Sequence, residues 1–70
     1  RPASPDARTL IIDVAGSDPS ASIRAQAAEI LGRQQDPALV PVLSGLLGSE
    51  SNREVRERIE RAIRELEGRR

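Results

Sequence analysis

Slid against itself by 32 residues, the chain aligns with its own second half without a gap. Pro5 falls on Pro37, Ile11 on Leu43, Val14 on Leu46, Gly16 on Gly48, Ser17 on Ser49 and Asp18 on Glu50. Further along, Ile23 meets Val55, Arg24 meets Arg56 and Leu31 meets Ile63. Identities are few, but apolar, turn and cap positions agree in kind throughout. A period of this length marks a repeat architecture, in which each unit is one supersecondary element that cannot bury its apolar face alone. Whatever this chain folds into, it has to be written twice and stacked.

The unit itself reads as helix, Gly-Ser turn, helix. Apolar residues recur at helical spacing and nowhere keep the period-two alternation of a strand. The first predicted helix runs from about Pro5 to Ala15, with Ser4 as N-cap and Gly16 as its stop; its apolar face is Ala7, Leu10, Ile11 and Val14. The second runs from about Pro19 to Arg33 behind an Asp18 cap, with Ile23, Ala27, Ile30 and Leu31 on one face. The third opens at Asp36-Pro37, carries Leu39, Val40, Leu43, Leu46 and Leu47, and ends at Gly48. The fourth follows Ser51, whose spacing to Glu54 is that of a capping box, presents Val55, Ile59, Ala62, Ile63 and Leu66, and ends at Gly68. The expected fold is all-α: two tandem antiparallel helical hairpins stacked as a short α-α superhelix or solenoid. Residues 1–4 read as a linker or frayed terminus, 5–33 as the first repeat, 37–67 as the second with a charged capping helix, and 68–70 as a tail.

Asp18-Pro19-x-x-x-Ile23-Arg24-x-x-Ala27-Ala28-x-x-Leu31-Gly32, followed by Asp36-Pro37-x-x-Val40-Pro41-x-Leu43-x-x-Leu46-Leu47, resembles the HEAT repeat. The likeness is to the short bacterial and archaeal variety named after phycobilisome lyases. The second copy keeps Glu50, Val55, Arg56 and Ile59, then departs, with Glu60 in place of the second Ala and Arg64 in place of the Gly. The resemblance spans residues 5–67. It implies stacked hairpins that serve as a protein-binding scaffold, with the second helix of each hairpin lining the side that holds partners. It also implies that Arg24 and Arg56 pair with the acidic turn residues Asp18 and Glu50 of their own or the adjacent repeat.

Two repeats fall short of the three or so that such stacks usually need. Further repeats ahead of this pair, or a homodimer if there are none, would make up the difference. Ten of the sixteen residues from Asn52 to Glu67 are charged, with Glu54/Arg58, Glu57/Arg61 and Glu60/Arg64 at i, i+4. A last helix so well solvated reads as the cap that ends an array. Ile12, on the outward side of the first helix, reads as facing a missing upstream neighbour. Gly45, inside the third helix, reads as permitting a close approach, and Asp13 as a solvated outer residue.

Composition removes whole classes of function. The 70 residues contain no His, Cys, Lys, Tyr, Phe, Trp or Met, so imidazole bases, thiolate ligands and aromatic platforms are all missing. What remains is carboxylates, hydroxyls and arginine, in no catalytic constellation; no cofactor or metal is expected, and the chain is read as non-catalytic. Eleven Lys plus Arg balance eleven Asp plus Glu, which gives no general attraction to phosphate or to an anionic membrane. The expected partner is another protein, with no nucleic acid and no membrane. The alternatives are an accessory repeat domain of an enzyme such as a bilin lyase-like protein, or a nucleic-acid-binding HEAT-like domain. The candidate contact stripe begins with Ser22, Gln26, Glu29 and Arg33, with Glu54, Arg58, Arg61 and Glu65 beside them in register. Gln26, Glu29, Arg33, Arg58, Arg61 and Glu65 are its main members.

Overall fold

A computed structural model describes residues 5–68 and shows four helices in chain order: α1 (Pro5–Ser17), α2 (Ala21–Gly32), α3 (Leu39–Ser49) and α4 (Arg53–Gly68). No strand occurs among the described residues. The Ser4 cap, the linker expected over residues 1–4 and the last two residues of the expected tail lie outside them; Gly68 itself closes α4. α1 pairs with α2 and α3 with α4, and the two hairpins stack chiefly through α2 against α4.

The helix starts follow a local rule that repeats. In the first hairpin, Asp18 Oδ1 accepts the Ser20 N–H at 2.8 Å and Ser20 Oγ accepts the Ile23 N–H at 3.3 Å. In the second, Glu50 Oε2 accepts the Asn52 N–H at 3.0 Å and Asn52 Oδ1 accepts the Val55 N–H at 3.1 Å. Ser20 and Asn52 are therefore the N-caps, one register apart, in place of the expected Asp18 and Ser51. The acid two residues earlier folds the turn that delivers each cap. Asp36 folds a third such turn by accepting the Ala38 N–H at 3.0 Å; α3 starts just after it, at Leu39, with no side-chain cap. α1 runs through Gly16 to Ser17 instead of stopping at the glycine. A Cβ at Gly16 would lie 2.8 Å from Leu46 Cδ2, so its role there is to let α3 come close.

The core lies along the α2–α4 seam. Leu31, Leu43, Val55 and Ile59 are fully buried, joined by Leu39, Leu66 and the alanines 15, 25, 27, 28 and 62. α2 meets α4 through a row of small residues. Ala21 and Ala25 line the seam beside Val55, Gly32 sits against Ala62, and Ala28 falls between them at helical spacing. A Cβ on Gly32 would stand 2.8 Å from that of Ala62, a distance real Cβ atoms do not show.

Several expectations are overturned by this packing. Ile12 does not look outward to a missing neighbour; it is half-buried and lines a surface hollow with Leu46. Of the residues read as the first helix's inner face, Leu10 is 63% exposed and Ala7 exposed, while Ile11 and Val14 are half-buried against the core. On α2, Ala27 and Leu31 are buried as expected, whereas Ile23 and Ile30 each remain 41% exposed. Gly45 makes no close approach, because a Cβ there would meet nothing within 4 Å. Asp13 is exposed, as read.

Candidate interaction surface

Arg24 joins the two hairpins. Its Nε and Nη2 donate to the two oxygens of the Glu50 carboxylate at 2.9 and 3.0 Å, while Nη1 donates to the Asp18 carbonyl at 2.7 Å. The pair is largely enclosed, with the side chains 17% and 7% exposed. A bidentate guanidinium–carboxylate contact fixes orientation as well as distance, so it sets how the second hairpin sits on the first. The Arg24 hydrogen bonds hold the Glu50 carboxyl below its ordinary value of 4.5 against the opposing effect of burial, and the Asn52 N–H adds to them. The same contact raises the Arg24 guanidinium.

Arg56 behaves differently from its register partner. It does not pair with a carboxylate; its Nη1 donates to the Leu47 and Glu50 carbonyls at 2.8 and 2.9 Å and so ties off the end of α3. The contact to the carbonyl six residues back is common to both arginines. The acid that Arg24 grips lies one repeat further on, and no described residue supplies one to Arg56. A second inter-element tie, Arg8 Nη1 to Asp36 Oδ2 at 2.6 Å, escaped the sequence reading. The repeat carries no signal for it, since Val40 and Gly68 occupy the equivalent register. The Ala38 N–H, followed by Arg8, pulls the Asp36 carboxyl below its ordinary 3.8.

The candidate stripe falls along the α2–α4 seam on one surface. Two shallow hollows lie there, one bordered by Ser22, Gln26, Glu54 and Arg58, the other by Glu29, Arg33, Arg58, Arg61 and Glu65. Arg58 stands between them, 3.2 Å from Glu29 and 3.4 Å from Glu54, so its charge is already balanced within the chain. Of the three i, i+4 pairs expected on α4, Glu54/Arg58 forms. Glu57 lies instead 3.9 Å from Arg53, and Arg61 and Arg64 have no ion pair among the described residues. Arg33, Arg61 and Glu65 thus border the second hollow with no ion-pair partner among the described residues. Of the residues singled out for sites, Asp18, Arg24, Glu50 and Arg56 gather at the turn end of the hairpins, apart from this row.

Among the described residues no group of three or more His, Cys, Asp or Glu is placed to hold a metal, and no helix is long and apolar enough to cross a membrane. Stacked hairpins with a shared core, repeated turns and a guanidinium tie between units define an α-helical repeat protein. The family model of HEAT repeats matches residues 1–64, and the chain belongs to that family. HEAT repeats commonly mediate protein–protein interaction and are typically non-catalytic scaffolds. No curated protein and no solved structure matches the chain.

Proposed function

We propose that the chain is a non-catalytic protein-interaction module and the C-terminal end unit of a longer HEAT-like array. Its two repeats span residues 5–33 and 37–67, and within the family it is nearest the short phycobilisome-lyase type. Gln26, Glu29, Arg33, Arg58, Arg61 and Glu65 contact the partner. The observation that carries the contact surface is the unspent charge beside the second hollow, where Arg33, Arg61 and Glu65 line one wall or the other without intrachain ion pairs. The partner's chemistry follows: a polar protein surface with acidic groups for the two arginines, bound in a salt-sensitive manner. The end-unit reading is supported by the distal side of α4, where Arg53, Glu57 and Arg64 are exposed and a further hairpin would need apolar cover.

The test is affinity capture from source lysate with the chain as bait, after nuclease treatment and at moderate salt. Arg33→Glu with Arg61→Glu is the probe, because neither side chain is committed to an ion pair within the fold. One protein captured stoichiometrically by the native chain and lost from the double variant, at unchanged helicity, is the expected result. Capture that survives the double charge reversal sinks this contact surface.

A further inference from the structure

The two hollows on the α2–α4 seam are one shape repeated. Ser22 and Gln26 of α2, with Glu54 and Arg58 of α4, frame the first, of about 170 Å³. Glu29 and Arg33, with Arg61 and Glu65, frame the second, of about 120 Å³. Each frame is made of two i, i+4 pairs, one from each helix. Every member of the second frame stands seven residues beyond its counterpart in the first. The floors take the same step, from Val55 to Ala62, both buried. The frames advance together on both helices, so α2 and α4 run parallel here, and a step of seven residues puts the hollows about 10.5 Å apart. Four side chains around a small opening form a hole of the kind that receives one side chain from a facing helix.

That spacing selects the secondary structure of whatever lies on the seam. Along an α-helix, positions i and i+7 are about 10.5 Å apart and return to within roughly 20° of one face. Along a strand, same-face positions recur every ~6.7 Å, so the nearest ones miss the second hollow by about 3–4 Å. A polyproline II segment comes closer, at about 9.3 Å per turn, but it makes no internal hydrogen bonds and needs outside partners for its backbone. We propose that the partner presents an α-helix laid along the α2–α4 seam, with side chains seven residues apart seated in the two hollows. The choice of surface rests on the contact reading given above; the helix rests on the spacing. Charge then sets the side chains. In the first hollow Glu54 and Arg58 offset each other, and the Ser22 hydroxyl and Gln26 carboxamide hold no hydrogen bond among the described residues. An uncharged hydrogen-bonding side chain such as Gln suits them. In the second, Arg58 balances Glu29, while Arg33 and Arg61 against Glu65 leave one positive charge, which a single Glu neutralises. Arg58 stands between the hollows, so the incoming helix needs a small residue three or four positions after the first.

The test titrates the isotope-labelled chain with an alanine-based peptide held helical by a lactam bridge on its outer face. The peptide carries Gln, Ala at the third and fourth positions after it, and Glu at the seventh. The expected result is saturable amide shifts along residues 22–33 and 54–65. Moving the Glu two positions onward, or replacing it by Gln, should weaken binding roughly three- to tenfold. Arg33→Glu with Arg61→Glu in the chain should abolish it at unchanged helicity. A polyproline peptide with Gln and Glu three residues apart, and an extended one with them four apart, should bind more weakly than the helix. Either of these binding as tightly as the helical peptide overturns the proposal, and so does a helical peptide that leaves those amides unmoved. Self-association of the chain that the double charge reversal dissolves puts a second copy on the seam and overturns it too. Peptide binding that survives the reversal brings down the contact surface itself. Binding lost on reversal but indifferent to the spacing of Gln and Glu brings down the helix alone.

Discussion

At the scale of single residues, one ion pair and one backbone angle carry testable consequences. Glu50 is almost enclosed and both its oxygens are held by Arg24, so its carboxyl is depressed below 4.5 in the folded state. A depressed carboxyl contributes stability that is full above the unfolded value and is lost as pH falls through the folded one. Melting temperature should therefore be flat from neutral pH to about 5, then drop as pH passes below 4.5, with Asp36 adding a later step below 3.8. Glu50→Gln should flatten the first step and lower the melting temperature at pH 7 by roughly 4–8 °C. An acid profile unchanged by Glu50→Gln would mean that Arg24 does not set the joint. Gln35 is the described non-glycine residue with positive φ, at 59°, in the turn between α2 and α3. Gln35→Gly should gain up to about 1 kcal/mol in urea unfolding by relieving that conformation. The resemblance to HEAT repeats implied an acidic turn residue as partner for both Arg24 and Arg56; Arg24 has one in Glu50, whereas Arg56 binds carbonyls. The strained turn was not legible, because a glutamine announces no left-handed residue.

At the scale of elements, two glycines inside helices have opposite roles. Gly32 is wedged against Ala62, whereas Gly45 faces open space. Gly45→Ala should stabilise by about 1 kcal/mol, the ordinary helix-propensity gain. Gly32→Ala, at the last residue of α2, receives less than that gain and drives a Cβ into the α2–α4 seam, where overpacking costs roughly 1–3 kcal/mol, so it should lose on balance. Urea midpoints of the two variants falling on the same side of the native chain would contradict the seam geometry. Gly45 was read as permitting a close approach, since helical spacing shows that a residue is inside a helix but not which neighbour it meets. The same limit explains α1. Its apolar residues extend right around from Leu10 to Ile12 and Ala15, so periodicity alone did not say that Ala15 and Ile12 turn inward while Leu10 stays open. The caps failed for a different reason: Asp18 and Ser51 are good caps in isolation, yet only Ser20 and Asn52 sit at one register. The 32-residue step applied to caps as well as to apolar positions would have found them.

At the scale of the whole molecule, the repeat fixes the architecture while the core limits how far two units stand alone. Of the eleven buried hydrophobic residues among those described, five are alanines, so the interior rests on a few large side chains. A domain of this size draws roughly 3–5 kcal/mol of net stability from its core, and truncating a fully buried Leu costs about 2–5 kcal/mol. The two ranges overlap, which makes the outcome sharp. Leu43→Ala, at the one fully enclosed large side chain of α3, should leave the isolated chain mostly unfolded at 25 °C. Ile59→Val, which removes a single methylene at an equally buried site on α4, should cost about 0.5–1.5 kcal/mol and keep a cooperative transition. Far-UV circular dichroism with urea titration separates the cases. If Leu43→Ala keeps native helicity and a well-formed transition, the charged ties Arg24–Glu50, Arg8–Asp36 and Arg58–Glu29 hold more of the fold than their partial exposure allows. If it unfolds in isolation but recovers when an added hairpin covers the exposed Leu10, Ile23 and Ile30, stability in this molecule belongs to the stack, with each unit borrowing its interior from the next.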